Sequence, residues 1–128
     1  MMAASYSQMF AGRRILIVED EYLLADETRY RLEQLGAIVV GPTGQIDVAL
    51  QLIDDEHVDA AILDIHLEGE LVFPVAERLV TLDIEFVFAS GYDASVLPDK
   101  FKGFVLNEKP IDLENIARAL FGPKRDLH

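Results

Sequence analysis

Three stretches of this chain are apolar without interruption: Ile15-Leu16-Ile17-Val18, Ala60-Ala61-Ile62-Leu63 and Phe86-Val87-Phe88-Ala89. Runs of this kind, with no polar residue at alternate positions, are how strands buried on both faces of a parallel sheet read. Ala60 to Leu63 is the most apolar and is expected at the centre of the sheet. Ile38-Val39-Val40 and Phe104-Val105-Leu106 are shorter and read as strands nearer its edges. Between the runs the apolar positions switch to helical spacing. Leu24, Thr28, Leu32 and Leu35 share one face, and Gly36 is placed to end that helix as its C′ residue. Ala49, Leu52 and Ile53 mark a helix after Gly41-Pro42-Thr43-Gly44, and Val72, Val75, Ala76 and Leu79 mark another. Leu113, Ile116, Ala117 and Leu120 mark the last, with Asp112 as its N-cap. The stretch from Tyr92 to Lys102 contains Pro98 among small and polar residues, and leaves room for a short helix only. Strand and helix therefore alternate five times, which predicts a doubly wound α/β domain, (βα)5, around a five-stranded parallel sheet.

A length of 128 residues suits one domain with a core of its own. The domain is expected over residues 13–121, with 1–12 a flexible N-terminal tail, 122–128 a short C-terminal tail, and no output domain. Eleven basic residues against 23 acidic ones leave a net charge of −12. Such a chain repels phosphate backbones and anionic membrane surfaces, so direct nucleic-acid binding is not expected. The absence of cysteine removes disulfides, thiolate chemistry and zinc–thiolate sites, and fits a reducing compartment. No run approaches the ~20 apolar residues of a membrane span, and Met1 to Gly12 do not form a signal peptide. The expectation is a cytoplasmic protein, a monomer or weak dimer.

Chemistry enters at the strand ends. Glu19-Asp20 follow the first apolar run, Asp64 the second, Ser90 the third, and Lys109-Pro110 lie just beyond the last. A parallel sheet gathers its strand ends along one edge, where open α/β sheets place their ligands. Adjacent carboxylates repel unless a cation neutralises them, and Mg²⁺ needs only one or two carboxylates besides its waters. Asp64, at the end of a buried strand, is costly to desolvate unless paired or metal-bound. As a nucleophile toward phosphorus it would need the phosphate's charge screened, which a metal and Lys109 do together. The Ser90 hydroxyl is placed to donate to a phosphoryl oxygen, with Gly91 allowing a sharp turn. Pro110 steers Lys109 to extended geometry and makes a cis bond affordable. Singly, each has an ordinary explanation: acids favoured in a helix's first turn, a turn serine, a surface lysine. Their coincidence at four strand ends is the signal.

These residues resemble the receiver domain of bacterial two-component response regulators, over about Arg13 to Phe121. The resemblance implies that Asp64 accepts a phosphoryl group from a histidine of a sensor kinase. It implies that Glu19, Asp20, Asp64 and the backbone carbonyl of His66 hold Mg²⁺. Ser90 takes the place of the switch hydroxyl, Lys109 that of the phosphoryl contact, and Lys109–Pro110 that of a cis peptide. Phe88-Ala89-Ser90-Gly91-Tyr92 and Gly69 to Ala76 further resemble the FAT GUY subgroup of receivers. Its members lack the usual switch aromatic, and their partner kinases are often of the HWE type. Leu106 stands where most receivers carry that aromatic, so the ordinary aromatic swing is not available and Tyr92 becomes the candidate mobile ring. The side chains of His66 and Tyr92 are also expected to flank the water path to the phosphoryl group.

The resulting expectation is a single-domain phosphorylatable switch rather than an enzyme. It would signal by protein contact to its kinase, a phosphotransfer protein or a separate effector. A Mg²⁺-dependent phosphohydrolase of the haloacid dehalogenase type would need an acid two residues after the nucleophile, where this chain has His66. A flavodoxin-like carrier would need a Ser/Thr/Gly-rich phosphate loop where this chain has Glu19-Asp20-Glu21. A receiver-like adaptor working without phosphorylation is the remaining alternative, against which stands the intact set of Asp64, Ser90 and Lys109.

Overall fold

The structure, a computed structural model, describes residues 6–89, 98, 99, 101, 105, 106 and 112–122. Five strands run parallel in one sheet: β1 (Arg14–Val18), β2 (Ile38–Thr43), β3 (Ala60–Leu63), β6 (Glu85–Ala89) and β7 (Val105–Leu106), in the order β2-β1-β3-β6-β7. β3, apolar and buried at every residue, is the central strand, as expected for Ala60 to Leu63. β4 (His66–Leu67) and β5 (Glu70–Leu71) form a separate antiparallel hairpin. Among the described residues the helices are α1 (Tyr6–Phe10), α2 (Tyr22–Gln34), α3 (Ile46–Asp55), α4 (Phe73–Thr81) and α5 (Leu113–Phe121).

Because successive strand side chains point to opposite faces, each uninterrupted apolar run supplies two cores. Leu16, Val18, Ala61, Leu63, Phe86 and Phe88 pack with Ala49 and Ile53 of α3 and Val75, Ala76 and Leu79 of α4. Their alternates Ile15, Ile17, Ala60, Ile62, Val87 and Ala89 pack with Leu32 of α2 and with Leu113, Ile116, Ala117 and Leu120 of α5. This is the doubly wound layering that the alternation of strand and helix predicts.

The expected helix ends are present with their mechanisms. Gly36 takes φ 88°, the Gly36 N–H donates to the Glu33 carbonyl (3.0 Å), and the Ala37 N–H donates to the Leu32 carbonyl (3.1 Å). That pair of bonds is a Schellman motif, and it requires the left-handed conformation that glycine enters without steric cost. At α5 the Asp112 side chain accepts from the N–H groups of Glu114 (3.0 Å) and Asn115 (3.3 Å).

Three features depart from the sequence reading. First, the segment expected to be a loose tail contains α1, and Phe10 in it is fully buried. The Phe10 ring meets Phe121 of α5 edge-on, centroids 5.7 Å apart, and the Arg13 guanidinium lies 4.5 Å from the centre of the same Phe121 ring. A five-residue helix is unstable alone; here one buried aromatic ring ties it down. Second, β2 continues past the expected Ile38-Val39-Val40 through Gly41-Pro42-Thr43. Leu16 pairs with Val40 and Val18 with Thr43, so β2 carries one extra residue, a bulge in which Gly41 adopts φ 85°. Proline is tolerated there because β2 is an edge strand; the Gly41–Pro42 bond is cis. Third, the β4–β5 hairpin was not foreseen. Its strands are two residues each, too short to show a period, although Gly69 at φ 73° in its two-residue turn was the available signal.

The short helix expected between Tyr92 and Lys102 lies mostly outside the described residues. Within them, the Phe101 N–H donates to the Pro98 carbonyl (2.9 Å), and Phe101 is buried against Phe73, Phe86 and Phe88 at centroid distances of 5.6–6.2 Å.

Candidate functional site

Two neighbouring strand ends build the site. At the end of β1, the Glu19 N–H donates to the Thr43 carbonyl (2.8 Å), so the bulge-extended β2 holds the chain as it leaves the sheet. The Glu19 carboxylate turns back and accepts the Glu21 N–H through Oε2 (3.1 Å), just before α2 begins. At the end of β3, the Asp64 N–H donates to the Val18 carbonyl (2.8 Å), which locks the two strand ends together. Carboxylate oxygens of Glu19, Asp20 and Asp64 thereby lie within 4.8 Å of one another. Glu19 and Asp64 are only 7% and 5% exposed, while Asp20 faces solvent. Three carboxylates this close, two of them buried, concentrate negative charge where its desolvation is most costly. The all-oxygen donor set, with one exposed member and room for water, fits a hard divalent cation.

The cleft above them has a volume of about 420 Å³ and is lined by these three acids, Glu21, His66 and the β4–β5 hairpin. Glu68 and Glu70 of the hairpin add two more carboxylates, and among the described lining residues none is Lys or Arg. His66 sits half-buried in β4, two residues past Asp64. The described lining is therefore strongly negative, which favours a cation over a bare phosphate.

Of the predicted residues, Glu19, Asp20, Asp64 and His66 come together as expected from their strand ends. Ser90, Tyr92, Lys109 and Pro110 lie outside the described residues. Leu106 belongs to β7, paired with Ala89 of β6, the residue just before Ser90; its side chain is likewise outside the described residues. Sequence reasoning missed two contributors. The Glu68 N–H donates to Asp20 Oδ2 (2.8 Å), and Gly44, in the turn after β2, packs against the backbone of Asp20.

A doubly wound parallel sheet with carboxylates clustered at the ends of β1 and β3 places the site at the carboxyl edge, where open α/β domains bind their ligands. No family model matches the chain. It is, however, 41% identical to SdrG from Sphingomonas melonis Fr1, whose solution structure aligns with a TM-score of 0.74 over 87% of this chain and 95% of that one. A CheY-like response regulator receiver domain from Methylobacillus flagellatus is 25% identical, with a TM-score of 0.71 over 86% of this chain and 99% of that one. The sensory transduction protein LytT of Bacillus subtilis is 33% identical over 115 residues, 84% of this chain and 46% of that protein. The chain thus spans about half the length of the curated relatives it matches. It belongs to the receiver-domain family of response regulators.

Proposed function

We propose that this domain is a phosphorylation switch in which Asp64 accepts a phosphoryl group from the phosphohistidine of a sensor kinase. The observation that carries the reading is the meeting of Glu19, Asp20 and Asp64 within 4.8 Å at the neighbouring ends of β1 and β3. An Asp64 carboxylate oxygen attacks phosphorus, an acyl phosphate O–P bond forms, and the P–N bond breaks, the donor ring, already protonated at its other nitrogen, leaving as neutral imidazole. Glu19, Asp20, Asp64 and the backbone carbonyl of His66 would hold Mg²⁺. That ion supplies the positive charge that lets an anionic phosphate approach an anionic cleft.

The chain's own residues have separate tasks in this scheme. Asp64 is held in line by its N–H bond to β1. Glu19 is fixed by two main-chain bonds, one from its own N–H to Thr43 and one to its carboxylate from Glu21. Lys109 is proposed to contact the phosphoryl group and Ser90 to donate to it, both on the strength of the family resemblance. Leucine at position 106 removes the ring that most receivers move, which leaves Tyr92 as the residue proposed to respond. The output is a protein contact, with the kinase or with a separate effector, on the surface next to β6 and β7. A single-domain role belongs to the same proposal, with α1 counted in the domain because Phe10 lies in its core.

The test is intact mass after incubation with acetyl phosphate, with and without Mg²⁺, beside Asp64→Asn. One phosphoryl adduct that needs Mg²⁺ and is lost in Asp64→Asn is the expected result. An adduct that persists in Asp64→Asn, or beryllofluoride and Mg²⁺ producing no spectral change near Ser90 and Tyr92, would refute it.

A further inference from the structure

Asp20 is the exposed member of the carboxylate trio and sits in the turn between β1 and α2, so the strand does not orient its side chain. Two contacts from distant parts of the chain do. On one side, the backbone N–H of Glu68 donates to Asp20 Oδ2 at 2.8 Å. Glu68 opens the two-residue turn of the β4–β5 hairpin, outside the paired residues Leu67 and Glu70, so its amide is not consumed by the ladder. On the other side, Gly44 approaches so closely that a β-carbon placed on it would lie 2.7 Å from both Cα and Cβ of Asp20. Real β-carbons do not tolerate that distance to backbone. Gly44 is not in the left-handed region, so what demands glycine is the contact with Asp20 and not the conformation.

We infer that the Glu68 amide and Gly44 form a two-sided clamp that sets the Asp20 carboxylate for the divalent cation, making the hairpin and the β2–α3 turn positioning elements of the metal site. The inference rests on the receiver reading above. A carboxylate has acceptor capacity beyond one hydrogen bond, so with Oδ2 held by the amide, Oδ1 remains free to serve a metal. Contacts of this kind to metal-binding carboxylates are commonly worth about 10–100-fold in metal affinity. The hairpin is then more than a cover on the cleft. Through one hydrogen bond, the segment directly after the phosphoacceptor reports on whether the first strand's acid is in place.

The substitutions are chosen to remove one contact each. Glu68→Pro removes the N–H while keeping the turn, because proline suits the position before a glycine of positive φ, and Leu67 before it is already extended. Glu68→Gln keeps the amide and removes only the charge. Gly44→Ala inserts the clashing β-carbon. The readout is the Mg²⁺ dissociation constant of the unphosphorylated full chain by calorimetry, alongside the melting temperature without metal. The expected result is a loss of about tenfold or more in Mg²⁺ affinity for Glu68→Pro and Gly44→Ala, and a change within about threefold for Glu68→Gln. The metal-free melting temperature of Glu68→Pro should stay near the parent's. Wild-type affinity in Glu68→Pro, or an equal loss in Glu68→Gln, overturns the clamp while leaving the receiver chemistry intact. A parent protein that binds no Mg²⁺ overturns both, so the two failures are distinguishable.

Discussion

Replacing Phe10 by alanine tests whether the chain before β1 belongs to the folded domain. Phe10 is fully buried, contributes to the core shared with α2 and α5, and meets Phe121 edge-on at 5.7 Å. Truncating a buried phenylalanine costs about 3–5 kcal/mol, of which an aromatic pair of this geometry accounts for roughly 0.5–1.5 kcal/mol. A terminal helix limits that loss, because α1 is able to undock instead of tolerating a cavity. Undocking returns backbone entropy to the five helical residues but forfeits their helical bonds and remaining contacts, so it offsets the loss only in part. The measured loss should therefore fall toward about 2–3 kcal/mol. For a domain of this size each kcal/mol lowers Tm by roughly 3–5 °C, so Phe10→Ala should melt about 6–15 °C below the parent. Circular dichroism melts, repeated as urea titrations, measure it, with exposed Gln8→Ala as a control that should stay within about 1 °C. A Phe10→Ala Tm within about 2 °C of the parent would refute the reasoning, and the segment would behave as the loose tail its sequence resembles.

Other outcomes follow from the same contacts. Asp112→Ala removes the two capping bonds at the start of α5 and should cost about 1 kcal/mol, read as a urea midpoint shift at unchanged slope. Gly36→Ala forces a β-carbon into φ 88° at the Schellman turn and should destabilise by about 1 kcal/mol, whereas alanine at an ordinary helix position would not. Asp59 provides the pH dependence. Burial works against its charged form, but the Arg14 N–H at 2.8 Å and the His57 ring at 2.7 Å outweigh it and hold the carboxyl below its ordinary value. The folded state therefore binds a proton less readily than the unfolded chain. That stability is present above the unfolded value of about 3.9 and is lost as pH falls through the folded one. Asp59→Asn should flatten this acid limb of the Tm–pH curve; an unchanged limb would assign it to other carboxylates.

How far the fold was legible tracks how local its causes are. β1, β3 and β6 announce themselves because burial on both faces demands unbroken apolar runs, and α5 because its buried face repeats four times with a capping aspartate before it. The carboxylate trio was legible for a topological reason: parallel strands end on the same edge, so Val18 and Leu63, paired across β1 and β3, carry Glu19 and Asp64 into one place. What escaped had non-local causes. α1 exists because Phe10 finds Phe121, 111 residues later, and nothing within Tyr6–Phe10 encodes that meeting. The extension of β2 depends on Gly41 reaching a bulge conformation beside Ile17, and a Gly-Pro pair after Val40 does not announce a continuing strand. The Glu68 amide carries no side-chain signature at all, since any residue but proline supplies it.

The arrangement of charge links the fold's stability to its proposed ligand. Glu19 and Asp64 are buried beside a third carboxylate, so the folded state gathers charge that the unfolded chain spreads through water. A divalent cation that binds only the folded state must then stabilise it by RT ln(1 + [L]/Kd), about 1.4 kcal/mol at ten times Kd. For this domain size that is a rise in Tm of roughly 4–7 °C between chelator and Mg²⁺. Glu19→Gln and Asp64→Asn should each lose most of the rise, since each removes a member of the trio. Arg78→Ala, which breaks only the surface pair with Asp54 at 2.6 Å on the α3–α4 side, should keep it. Equal Mg²⁺ shifts in all four proteins would mean that the ion acts as general screening of a chain with net charge −12, and the trio would lose its claim to be a metal site.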